Sequence, residues 1–294
     1  MLMASSSVMA SGTGSRGTAT AQFLKFGAGA RAAALGEAYT ALASGAEALY
    51  WNPAGLASLE RWSAGFMHMA GFEESSYEFL GFAMPAASGV VAVGAQYFTT
   101  GAIDKLDATG MSQGTFTPSD LGLSLSYAGK LKDYGVGGSV KFVRSTVVGS
   151  GEAVAVDLGV QTPALLDGKL TLGLSARNFG TEMKFEEASE SLPSSLRLGG
   201  AYELAAGLVV AVDLASPSDN RVEAALGAEW ALKIGSDWKF AARAGGNTRT
   251  LGDIDGFTGA SFGAGLSAKG VSVDYAVVPA GDLGTNHRIS VSLR

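Results

Sequence analysis

The sequence predicts an all-β fold: a single closed antiparallel transmembrane β-barrel of about fourteen strands with a short helical N-terminal plug. Three observations carry this. From about Ser63 onward, apolar residues alternate with small or polar ones at period two, in segment after segment. Turn signals cut the chain into an even number of such segments, as closure of an antiparallel barrel favours. The face opposite the apolar one holds Gly, Ala and Ser, where a sandwich in water would carry Lys, Glu and Thr.

The first stretch, residues 1–20, begins MLMASSSVMASGTG and reads either as a signal remnant or as a flexible N-terminus. Val8 and Ala10 are small residues placed for a cut before Ser11, but a basic leader and a full apolar core are missing. Residues 21–61 form the expected plug or hatch. Ala21-Gln22-Phe23-Leu24-Lys25-Phe26 is short and apolar. Beyond it Leu35, Tyr39, Leu42, Ala46 and Leu49 recur at helical spacing, with Gly36 and Gly45 predicting two short helical pieces in place of one rod. In Tyr50-Trp51-Asn52-Pro53-Ala54-Gly55, Pro53 moves Asn52 out of helical angles, and Asn52 is placed to cap a short helix that Pro53 opens.

Residues 62–294 are the expected barrel. Strands are predicted near 62–71, 76–84, 89–99, 119–129, 134–146, 152–162, 169–178, 194–204, 206–215, 220–232, 236–245, 257–268, 270–278 and 285–294. The apolar sets Val154/Val156/Leu158/Val160 and Leu170/Leu172/Leu174 are typical outward stripes. Longer connections near 100–118, 179–193 and 246–256 contrast with tight turns at Gly168 and Lys269-Gly270. On the inward face stand Lys141, Asp157, Arg177, Arg197, Asp213, Glu223, Glu229, Lys239, Arg243, Asp274 and Arg288, which suit a crowded lumen. Trp62, Phe66, Tyr97, Phe98, Tyr127, Tyr134, Tyr202, Trp230 and Trp238 are candidates for aromatic belts at the two membrane interfaces.

Composition agrees with a barrel and excludes several function classes. The 294 residues include 42 glycines and no cysteine, so disulfides, thiol nucleophiles and thiolate metal sites are out. Net charge is -6 with no Lys/Arg cluster, which argues against a nucleic-acid partner. Hydrophobic residues make up 47% of the chain without the run of about 18 that a spanning helix needs, whereas barrel strands need only about 9–11 alternating residues. No hydrolase elbow, phosphate loop or zinc-protease motif occurs, so no catalytic residue, metal site or cofactor is assigned. His68 and His287 lie singly in strands and read as structural. Asp253-Ile254-Asp255-Gly256 has a trace of a calcium loop, but Gly265 stands about where the closing Glu belongs, so a polar hairpin loop is the reading. Phe23, Phe26, Leu42 and Leu49 are the candidates for an apolar pocket by the plug, and anchoring of the plug to the wall is the favoured reading of the aromatics.

The stretch AQFLKFGAGARAAALGEAYTALASGAEALYWNPAGLASL resembles the N-terminus of the PorV/PorQ family, within the FadL-like outer-membrane proteins. Its most telling part is ALYWNPAGLA at residues 48–57, supported by Gln22 to Lys25 and by Gly29-Ala30-Arg31. The resemblance covers about 40 residues. It implies a non-enzymatic fourteen-stranded barrel with an N-terminal hatch in the outer membrane of a Gram-negative-type bacterium. The implied role is docking or shuttling of secreted proteins in type IX-like secretion, with outer-membrane lipid and secretion components as partners. The alternative is a FadL-like transporter with a hydrophobic small-molecule ligand, and a structural or adhesive surface protein is the third reading. Family members often carry acidic residues just before the ALYWNPAGLA stretch, where this chain reads Ser44-Gly45-Ala46-Glu47.

Overall fold

The computed structural model describes residues 17–147, 149–185, 189–251 and 253–294. The signal-remnant reading therefore falls mostly on residues outside the described ones. Among the described residues eighteen strands follow in chain order: β1 (Ser63–Ala70), β2 (Ser76–Ala86), β3 (Gly89–Thr99), β4 (Ile103–Leu106), β5 (Ser112–Phe116), β6 (Ser119–Leu131), β7 (Tyr134–Thr146), β8 (Ser150–Gln161) and β9 (Leu170–Gly180). Then come β10 (Met183–Lys184), β11 (Ser189–Glu190), β12 (Ser195–Ala205), β13 (Leu208–Pro217), β14 (Glu223–Ile234), β15 (Trp238–Asn247), β16 (Ala260–Ala268), β17 (Val271–Pro279) and β18 (Thr285–Leu293). Fourteen of them close into one antiparallel barrel, with β1 pairing β18 to seal the ring. The pairs β4–β5 and β10–β11 form separate two-stranded sheets inside the connections 100–118 and 181–194.

Alternation places every second side chain outside, and the outside is apolar. Val154, Val156, Leu158 and Val160 of β8, Leu172 and Leu174 of β9, and Leu123, Leu125 and Tyr127 of β6 are all exposed. Their neighbours Ala153, Ala155 and Asp157 are buried toward the lumen. In water an exposed apolar band of this extent has no means of support, whereas in lipid it is the stable arrangement.

Up-and-down order sorts the connections into two ends. At one end lie 71–75, 100–118, 147–149, 181–194, 218–222, 248–259 and 280–284; the short turns gather at the other. Lys269 and Gly270 have φ 49° and 83°, the two left-handed residues that a two-residue type I′ hairpin turn needs. The short connection around Gly168, expected over 163–168, spans residues 162–169, and Leu165 bridges to Leu170 within it in a small local turn.

The N-terminal segment enters at the loop end, where the Gly17 amide donates to the Asp219 carbonyl, and leaves at the turn end into β1. Between these points run α1 (Ala30–Ala34), α2 (Ala48–Trp51) and 3₁₀ turns at Gln22–Lys25, Gly45–Glu47 and Pro53–Ser58. The helical face expected over Leu35 to Leu49 is not continuous. Gly36, at φ 64°, ends α1 in a Schellman turn: the Glu37 amide donates to the Ala32 carbonyl and the Gly36 amide to the Ala33 carbonyl. Residues 36–44 are turns and extended chain, so Tyr39 and Leu42 reach the wall from non-helical backbone.

Eight of the nine candidate belt aromatics are exposed, among them Trp62, Trp230 and Trp238. Phe98 is the exception. It follows outward Tyr97 and so faces inward, its ring 5.2 Å from that of Phe26.

The outward stripes predict that Val156→Arg and Leu172→Arg each cost about 2–4 kcal/mol at mid-membrane depth. Equilibrium refolding into lipid vesicles measures this. A cost confined to below 1 kcal/mol at both sites would show that these stripes do not face lipid.

Candidate functional site

The site is the lumen and the segment that fills it. Leu35, Thr40 and Pro53 lie so close to the wall that side chains there would collide. A methyl group added at Gly227 would come within 2.5 Å of the Leu35 carbonyl, at Gly173 within 2.6 Å of the Thr40 carbonyl, and at Gly137 within 2.6 Å of Pro53. The glycine-rich inward face is thus the imprint of the plug backbone.

The motif residues sit at the centre of this contact. Trp51 is fully buried and its indole N–H donates to the Ala28 carbonyl at 2.7 Å. The Tyr50 hydroxyl donates to the Leu24 carbonyl at 3.1 Å. Asn52, extended at φ -160°, accepts from the Ala54 amide at 3.2 Å and so caps the Pro53–Ser58 turn. Its amide nitrogen donates to the carbonyls of Thr40, at 3.1 Å, and Val160, at 3.2 Å, linking two parts of the plug to β8. Pro53, Ala54 and Gly55 are buried behind it.

The lumen has two unlike halves. The inner faces of β1, β2 and β3 are largely apolar, with Met67, Met69, Tyr77, Phe79 and Phe98 in one cluster with Phe23 and Phe26 of the plug. Phe26 packs edge-on to Tyr77 with centroids 5.6 Å apart. Of the four candidate pocket residues, Phe23 and Leu49 are buried and Phe26 and Leu42 are half-buried; all four pack between plug and wall.

From β7 round to β18 the wall is charged. Lys141 meets Asp157 at 2.6 Å, Arg243 bridges Glu229 at 2.6 Å and Asp274 at 2.7 Å, and Arg197 reaches Asp213 at 3.3 Å. The plug supplies complementary charges. Lys25 pairs with Asp219 at 2.5 Å and Arg31 with Glu229 at 2.7 Å; Glu37 pairs with Arg249 at 2.6 Å and Arg288 at 3.8 Å. Asp213 accepts from the backbone amides of Tyr39 and Thr40 and from the Thr40 hydroxyl. Burial alone would raise the Glu37 carboxyl, but Arg249, Arg288 and Arg197 outweigh it and hold it below the ordinary range.

Of the eleven inward charges expected, Lys239 alone is exposed. It stands at the turn end, on the rim of a polar vestibule of about 380 Å³. Glu47 lies at the vestibule's inner wall with the Tyr39 hydroxyl donating to it at 3.1 Å. Burial first, and then the like charge of Asp274, push its carboxyl up to about 7. The histidines face outward: His68 Nδ1 is 3.0 Å from Glu78, and His287 Nδ1 is 2.6 Å from the Tyr275 hydroxyl. Asp253 pairs with Arg221 at 3.2 Å.

Sequence reasoning passed over Lys25, Arg31 and Glu37 as site residues. Their signal was present: three charges within an Ala-rich segment that has no polar face of its own to send them to water.

A sequence profile matches residues 2–215. The chain belongs to the uncharacterised protein family UPF0164. No curated protein matches it. Among solved structures it is similar to the CymD monoaromatic hydrocarbon channel, at 14% identity and TM-score 0.60, over 91% of this chain and 96% of that one. It is also similar to the Ralstonia pickettii toluene transporter TbuX, at 14% identity and TM-score 0.56 over 91% and 98% of the two chains. A Pseudomonas aeruginosa FadL homologue matches at 12% identity and TM-score 0.56, over 90% and 97%. At these identities the likeness shows the fold: this UPF0164 protein is a closed fourteen-stranded antiparallel barrel similar to those of these channels and transporters.

Two outcomes follow from the plug contacts. Asn52→Ala removes three hydrogen bonds that join the plug to itself and to β8, so it should lower stability by about 1–3 kcal/mol while the barrel still assembles. Denaturant unfolding of the refolded protein reads the loss. Glu47, with its proton held more tightly when folded, should make stability highest below the ordinary glutamate pKa. That contribution is lost as pH rises to about 7, by roughly 3 kcal/mol in all. Glu47→Gln should flatten the slope in that window, and an unchanged slope would assign it to other groups.

Proposed function

We propose that this protein passes hydrophobic small molecules across the outer membrane. The observation that carries the reading is the apolar sector between plug and wall at the loop end, where half-buried Phe26 and Phe98 lie against Tyr77. Aromatic faces of this kind accept an apolar solute without leaving a polar group unpaired. The named structural relatives are a monoaromatic hydrocarbon channel and a toluene transporter, which supports the same ligand class for this chain. The protein then acts as a conduit, with no bond made or broken.

A second reading, docking or shuttling of secreted proteins in the manner of the PorV/PorQ family, draws on the ALYWNPAGLA resemblance and on how fully the plug fills the lumen. Wall glycines meet plug backbone at several points, and such a plug suits a barrel that works through its outer surfaces. The structural relatives named above are a channel and a transporter, which favours the first reading.

Cells that display the assembled barrel should take up a labelled monoaromatic hydrocarbon faster than cells without it. Phe26→Asp should reduce the rate several-fold at equal barrel abundance. Deleting residues 21–59 should leave folded strands and raise conductance in planar bilayers. No gain in uptake, together with secreted proteins co-purifying with the detergent-solubilised barrel, would replace transport by docking.

A further inference from the structure

The charged half of the lumen contains a buried cation with no ion pair of its own among the described residues. Arg177 of β9 is 3% exposed, and no carboxylate among the described residues lies within 4 Å of it. Its Nη2 donates to the Leu24 carbonyl at 3.3 Å, and its Nε and Nη1 have no acceptor. Asp157, the acid on the neighbouring strand, is taken by Lys141 at 2.6 Å.

Arg197 of β12 is a near neighbour, since Ser195 sits opposite Arg177 in the register. Its Nε also lacks an acceptor. Its Nη2 donates to the Glu37 carbonyl at 2.8 Å and reaches Asp213 Oδ2 at 3.3 Å, an oxygen that already accepts from Tyr39 and Thr40, while Asp213 Oδ1 has no donor. Both guanidiniums press on the same plug residue: Arg177 lies 4.1 Å from the Tyr50 ring centre and 5.7 Å from that of Trp51, and Arg197 lies 5.1 Å from Trp51. Two buried like charges are therefore held against the Tyr50-Trp51 turn.

A small cavity opens between them. It measures about 30 Å³ and is lined by Lys25, Arg177, Arg197 and Arg249, with Glu223 as its one acid. Lys25 and Arg249 are already paired, with Asp219 and with Glu37 and Glu223. The balance at the cavity is positive, and Arg177 is the unmatched charge. Space of this size holds about one or two water-sized particles and suits a monoatomic anion. Isolated buried charge is strongly unfavourable unless it is paired.

We propose that this cavity binds one small inorganic anion of chloride's size, which bridges Arg177 and Arg197 and fixes the Tyr50-Trp51 turn to the wall. The anion offsets the repulsion between the two guanidiniums and serves as acceptor for their unpartnered N–H groups after a small rotation of each. The site is independent of whether the barrel carries hydrophobic solutes.

Crystals of the whole protein grown with sodium bromide in place of chloride test it directly. An anomalous peak is expected in the cavity, against both guanidiniums. Absence of a peak there overturns the site, and so does bromide found only elsewhere on the barrel. In detergent at constant ionic strength, the plugged protein should unfold a few degrees higher in chloride than in gluconate, which is too bulky for the cavity. Arg177→Gln should remove that difference. Equal midpoints in the two salts for the unaltered protein would also overturn the proposal, whatever the variant's own stability.

Discussion

Polar groups placed inside a closed barrel have to find their partners inside it. Fourteen strands enclose more volume than inward side chains fill, so a segment of the same chain occupies the lumen, and its backbone brings donors and acceptors that bulk water does not reach. Nearly everything else in the structure answers that constraint. Wall glycines let the plug backbone approach within contact distance, Asp213 gathers the amides of residues 39 and 40, and Asn52 ties the plug to itself and to β8.

The same constraint explains why charge is concentrated where a soluble protein would exclude it. The chain is only 16% charged, yet Lys141, Asp157, Arg177, Asp213 and Glu229 are all buried. Moving them outward is worse, since the outer face meets lipid. The lumen is the polar compartment of this fold, and pairing across it sets where each part of the plug comes to rest.

How much of this is legible in the sequence depends on the range of the interaction. The fourteen barrel strands and their outward stripes follow from period two, which each strand writes locally; Val154/Val156/Leu158 needs no knowledge of the partner strand. The Asn52-Pro53 cap is equally local. Phe98 was misplaced because its own strand, read by parity from Tyr97, was passed over in favour of residue type. Of the two short helical pieces expected over Leu35 to Leu49, the second forms at Gly45–Trp51, while the first is absent beyond Leu35 because Gly36 terminates α1 in a Schellman turn, a role its residue type alone does not separate from that of a weak helix residue. Pairings such as Glu37 with Arg249, 212 positions apart, leave no trace in one chain read alone.

Charge pairing and apolar contact contribute differently to holding the plug. A buried ion pair gains attraction but loses hydration, and the two nearly cancel. If the plug withdraws, water enters the lumen and rehydrates Asp213, Glu229 and Arg249, so those pairs resist withdrawal less than their short distances suggest. What they fix is position, because displacing the plug separates Lys25, Arg31 and Glu37 from their partners. The aromatic side behaves otherwise. Exposing Phe23, Phe26, Tyr77 and Phe98 to water has no such compensation, and the cost grows with the area uncovered. The plug is therefore aligned by its charged half and held by its apolar half. An apolar solute entering beside Phe26 would cover the surface that the plug uncovers, and so would weaken the half that holds while leaving the half that aligns in place to guide the plug back.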